Sequence, residues 1–174
     1  MMNPEEVLRK KFEDQISKAK DKGEQADGII WLAVLTNAGL GVVPFGINLW
    51  TFVGVNTLLV VFLGSIYEYT VSNEDAGKLI KQIFSAVGWT WMASALGLKF
   101  FAEVLKGAGV ITLGGATVAG VALDATLAGA VTYALGYTTK DYFAKGKRMS
   151  KPDLEKEFKS RFKEGKQKVK NQNQ

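Results

Sequence analysis

The side chains that most often carry covalent or acid–base chemistry are missing from this chain, which has no His and no Cys among its 174 residues. That removes thiolate nucleophiles, disulfides, thiolate metal sites and imidazole proton transfer together. Zinc and haem sites built from those ligands go with them. No Gly-x-x-x-x-Gly-Lys-Ser/Thr loop is present either, so phosphate cradling of that kind is absent. Carboxylates remain, and Glu5, Glu6, Glu13 and Asp14 form acidic pairs. Paired carboxylates do acid–base work only where a cleft drives their pKa values apart. A mixed-charge surface helix offers none, so a solvated face is expected. The sequence reads as a non-enzyme without cofactor or metal.

Binding residues are better represented. Asp124 is the one charge between Gly107 and Thr139. An acid at membrane depth faces the bundle interior and has a partner or a role, and Thr90, Lys99 and Asn56 are its candidate partners. The bland alternative puts Asp124 near water or in a structural hydrogen bond. Asn37, Asn48 and Asn56 punctuate an otherwise apolar stretch. They either line a polar path or, as is commoner, bond a neighbouring helix or cap a turn. Asp124 and Asn56 are the candidate intramembrane polar residues. Ala116 and Gly120, then Ala125 and Gly129, lie four apart, a spacing that lets helices approach closely. The end of the chain is basic, with twelve Lys or Arg against five acids from Lys140 to Gln174. Lys147, Arg148, Lys156, Lys159, Arg161 and Lys163 are its candidate lipid- or partner-binding residues. Lys outnumbers Arg and no aromatic is set for base stacking, so no nucleic acid is expected.

The elements that position these residues are helical throughout. Leu8, Phe12 and Ile16 recur every four residues and predict an amphipathic helix over about 5–24. From Gly28 to Tyr67 no Asp, Glu, Lys or Arg occurs, a stretch too long for one span of roughly 20 residues. Val43-Pro44-Phe45-Gly46 divides it, because proline disfavours helix before it and removes an amide donor. Helices over about 28–43 and 47–70 follow, the first only about 24 Å long, so the hairpin either crosses or dips. Ser72 caps a helix over about 73–86, with Leu79, Ile80 and Phe84 on one side. An uncharged run continues from Gln82 to Leu98, and Gly114-Gly115 precedes a helix over about 116–145. Ser150, Pro152 and Asp153 open a last helix with the stripe Leu154, Phe158, Phe162.

Charge sets the expected topology. The first 27 residues hold six Lys or Arg and do not resemble a signal peptide. Both ends carry Lys and Arg, six and twelve of them, while the 43–48 and 107–115 connections carry none, so both ends are placed in the cytoplasm. Trp31, Tyr67, Tyr69 and Trp50 fall near proposed interfaces, whereas Trp89 and Trp91 fall inside a span and weaken the second hairpin. The expected fold is an all-α helical membrane protein. It has an amphipathic N-terminal helix (1–27), a module of two apolar hairpins (28–145; hairpins 28–67 and 82–139), and a basic amphipathic end (146–174).

The segment Gly120-Val-Ala-Leu-Asp124, then Gly129-Ala-Val-Thr-Tyr-Ala-Leu-Gly136 and on to Tyr142-Phe143, resembles the C-terminal signature of a GTPase-associated bacterial family known as domain of unknown function 697. The resemblance covers about residues 35–145. It implies a helical, membrane-associated module, sometimes fused to or encoded near small GTPases, and it brings no catalytic residues. The chain departs from fused members in having no GTPase domain.

The function expected from all this is a membrane-embedded or membrane-associated scaffold or adaptor. It would sit in a bacterial inner or thylakoid-like membrane, in contact with lipid and, by the resemblance, with a GTPase. Two alternatives stand beside it. One is an oligomeric channel or transporter component, assembled through the 116–129 small-residue face. The other is a soluble helical bundle that inserts conditionally.

Overall fold

A computed structural model describes residues 4–39, 49–97 and 124–172, of Leu49 and Trp50 the backbone only. Within them lie seven helices: α1 (Pro4–Lys18), α2 (Lys22–Asn37), α3 (Leu49–Ile66), α4 (Asn73–Val87), α5 (Trp89–Leu96), α6 (Ala125–Ala144) and α7 (Lys151–Gln172). Neither the Pro44 turn nor Ala116, Gly120 and Lys99 falls within the described residues.

Helices α4 and α7 start where the sequence places them, each on the same chemistry. At α4 the Ser72 hydroxyl accepts from the Asp75 amide at 3.1 Å, and the Asp75 carboxylate accepts from the Ser72 amide at 3.3 Å. At α7 Ser150 and Asp153 repeat the exchange at 3.3 and 3.2 Å. Each exchange satisfies donors that a helix start otherwise leaves open.

A helix that is apolar all round seeks burial, and most of α3 is buried. Phe52, Val55, Leu58, Leu59, Val60, Phe62, Leu63 and Ile66 are buried against α1, α2, α4 and α6. The helix α6 lies at the centre, packing most extensively on α7 and next on α2. Its small residues explain its place. A Cβ on Gly136 would sit 2.9 Å from Ile30 Cγ1 and 3.2 Å from Leu59 Cδ2, so only glycine lets α2, α3 and α6 meet there. One buried cluster takes residues from all seven helices, Leu8 and Phe12 of α1 and Leu154 to Val169 of α7 included.

Several expectations are corrected. The N-terminal helix stops at Lys18, and α2 begins at Lys22 rather than 28, because Asp21 accepts from the Glu24 amide at 2.8 Å and restarts the helix. The helix expected over about 73–86 does keep its bounds, at Asn73–Val87. Gly88 takes φ 89° and ψ 131°, a conformation that side chains resist, and it separates α4 from α5. The helix expected from 116 has its N-terminus at Ala125. Two of the proposed interface aromatics, Trp31 and Tyr69, are half-buried and pack on protein rings. Trp31 meets Tyr133 edge-on at 5.6 Å and Tyr69 stacks on Phe143 at 5.3 Å.

The all-α class stands. Among the described residues, no helix is long and apolar enough to cross a membrane. The most apolar, α3, has 18 residues, about 27 Å of helix against a hydrocarbon core of ~30 Å.

Candidate functional site

The basic helix α7 presents two faces of opposite character. Leu154, Phe158, Phe162, Gly165 and Val169 are buried, at steps of three or four residues that keep them on one side. Phe158 meets Phe84 of α4 edge-on at 5.9 Å and Trp91 of α5 at 6.4 Å, and Phe162 meets Trp91 at 5.5 Å. Trp91 is thus half-buried against the protein core. At Gly165 a Cβ would fall 2.9 Å from Tyr133 Cβ, so α7 lies directly on α6 there.

A polar seam borders this apolar contact. Arg161 is its hub: it donates to Glu157 at 2.6 Å, reaches Glu164 at 3.4 Å and Asp141 at 4.0 Å, and stands 5.0 Å from the Tyr137 ring centre. Tyr133 donates its hydroxyl proton to Glu164 at 2.8 Å, and Lys168 donates to the Tyr133 oxygen at 3.1 Å. Lys168 also donates to Glu164 at 2.8 Å, and that bond is the main reason that the Glu164 carboxyl titrates below its ordinary range. Asp141 is shifted the other way, upward, by partial burial first and by the facing Glu157 second. Gly146 and Lys147, with φ of 66° and 63°, reverse the chain between α6 and α7.

The six basic candidates separate on this geometry. Arg161 is built into the seam. Lys159 pairs with Glu155 at 2.5 Å and lies 5.3 Å over Trp91. Lys147 lies 4.4 Å over Tyr69. Arg148, Lys156 and Lys163 are exposed. Lys170, not singled out in the sequence, continues the Lys156–Lys163 line at the same seven-residue step and is also exposed.

The polar and small-residue candidates among the described residues do not converge on one site. Asp124 is exposed and caps α6 by accepting from the Leu127 amide at 2.8 Å, so it stands at the helix start and not in its interior. Asn56 is buried and donates to the Phe52 carbonyl at 2.8 Å. Asn37 is buried and donates to Thr132 at 2.8 Å. Gly129 packs between Ala38 and Val169, where a Cβ would come within 3.1 and 3.0 Å, while Ala125 is half-buried at the first turn of α6. Gly136 and Gly165 make closer approaches than Gly129, but neither has a partner at the four-residue spacing that drew attention to 116–129. Among the described residues, no group of three or more acids could hold a metal ion.

Neither a comparison with curated proteins nor one with solved structures finds a match. The profile of one family does match, over residues 6–167, which takes in α1 and most of α7 as well as the helices between. The chain belongs to the family described as a domain of unknown function (DUF697).

Proposed function

We propose that this chain is a non-enzymatic helical adaptor that works at an anionic membrane surface. One observation carries the reading. The apolar face of α7 is spent inside the protein, while Lys156, Lys163 and Lys170 are exposed and have no ion-pair partner among the described residues. Each such lysine adds roughly 1 kcal/mol near an anionic surface, so the stripe gives weak, reversible and salt-sensitive attachment. A GTPase partner, implied by the family resemblance, remains part of the proposal and would meet the module at that surface.

The test is co-flotation of the protein with vesicles of phosphatidylglycerol and of phosphatidylcholine, at low and high salt. The expected result is flotation with the anionic vesicles only, lost at high salt and in Lys156→Glu/Lys163→Glu/Lys170→Glu. Equal flotation of that variant and the parent defeats the role given to α7.

A second reading, conditional insertion, is favoured by the way that α1 covers α3. Phe12 is buried and meets Phe62 edge-on at 5.3 Å, and Arg9 lies 5.7 Å from the same ring. Withdrawal of α1 would uncover the most apolar helix. Carbonate extraction of membranes from expressing cells separates the readings: a surface-bound protein leaves with the wash, and an inserted one stays. The channel reading has no observation to favour it, since Asn37 and Asn56 bond within the core and Asp124 caps a helix.

A further inference from the structure

A cleft of about 370 Å³ opens between α3 and α4, floored by Leu135 of α6. Its volume falls in the range of small-molecule sites, ~300–1,000 Å³. Three observations bear on what it takes. Its inner walls are carbon, from Phe52, Ile80, Phe84 and Leu135. Asn56 lines it, only 3% exposed, with its Nδ2 committed to the Phe52 carbonyl and its Oδ1 without a hydrogen-bond partner. The rim on α4 holds Lys78, Lys81 and Glu74. Glu74 pairs with Lys78 at 2.7 Å, and Lys81 has no ion pair among the described residues, which leaves the rim cationic.

A buried acceptor without a donor is costly. A water does not answer it well, because a buried water needs two to four polar partners and these walls supply few. From this we infer that the cleft binds a single-chain amphiphile with an anionic head and a hydrogen-bond donor next to that head. The acyl chain covers the carbon walls, the head lies against Lys81, and the donor reaches Asn56 Oδ1 after a small turn of the terminal amide, whose torsion is broad. This site lies apart from the outward lysines of α7 and stands or falls independently of them.

Two probes differ by one hydrogen-bond donor at equal charge and chain length: N-dodecanoyl glycine, which has an amide N–H, and N-dodecanoyl sarcosine, which has an N-methyl there. Calorimetric titration of the full chain is done below the concentration at which either forms micelles. The glycine conjugate is expected to bind about tenfold tighter, the factor that an unanswered buried acceptor gives. In Asn56→Leu that preference disappears. Gly77→Leu narrows the cleft that Gly77 lines, is tolerated because a Cβ at Gly77 meets nothing within 4 Å and leucine is the better helix former, and weakens binding of both probes. The inference is overturned by the absence of saturable binding, by equal affinity of the two probes for the parent protein, or by unchanged binding to a folded Gly77→Leu.

Discussion

Replacing Phe158 by alanine tests whether the basic C-terminal helix belongs to the core. The side chain is fully buried, with ring neighbours Phe84 at 5.9 Å and Trp91 and Phe162 each at 6.4 Å. Burial of this kind makes Phe→Ala cost about 3–5 kcal/mol, through lost transfer energy plus the cavity left behind. The upper half of that range is expected here, because the cavity wall is made of stiff aromatic rings that collapse poorly. For a chain of this size the cost corresponds to a Tm about 10 °C lower. Urea denaturation followed by circular dichroism reads it directly, with an unchanged m-value marking a true loss of stability. A drop below ~0.5 kcal/mol, the scale of a surface substitution, would mean that α7 is not seated on α4 and α5. Weakened seating should also make residues after Lys147 the first cut in limited proteolysis.

Three further outcomes follow from the packing and the seam. Thr132→Val leaves Asn37 Nδ2 without its acceptor in a fully buried position and should cost about 1–3 kcal/mol, whereas Thr132→Val with Asn37→Leu removes both partners and should recover most of that; a double-mutant cycle by denaturation measures it. Gly136→Ala forces a methyl against Ile30 and Leu59 and should destabilise by about 1–3 kcal/mol despite its better helix propensity, which thermal melts will show. The folded-state pKa of Asp141 is raised, so the folded state holds that proton more tightly than the unfolded one, and the carboxyl destabilises the fold as pH rises from the ordinary carboxylate range through the raised value. Asp141→Asn should therefore gain stability relative to the parent at pH 7 and lose that advantage toward pH 3; an advantage that grows on acidification would refute the sign.

The sequence by itself determined the helical class, the capping at Ser72 and Ser150, and the stripes Leu8–Phe12 and Leu154–Phe158–Phe162. These are legible because caps and helical periodicity are local, depending on residues three or four positions apart. The short family signature around Gly129–Gly136 was legible for the same reason, and the family match extends well beyond it at both ends. What the stripes face was not legible. Lipid and a packed protein core make the same demand on a helix, apolar side chains at 3.6-residue spacing, so hydropathy cannot tell Phe158 against Phe84 from Phe158 in a bilayer. Only the tertiary structure decided that α1 and α7 cover the apolar helices, and that Trp91 joins them. Long-range contact also decided the glycines that matter: Gly136 admits Ile30 and Leu59, and Gly165 admits Tyr133, neighbours that no local spacing reveals. Asp124 shows the remaining gap. A lone acid in an apolar run reads as buried or as exposed with equal ease, and the structure shows that its carboxylate begins α6 by taking the Leu127 amide and is exposed, because an open helix start offers an acid amide donors at the protein surface.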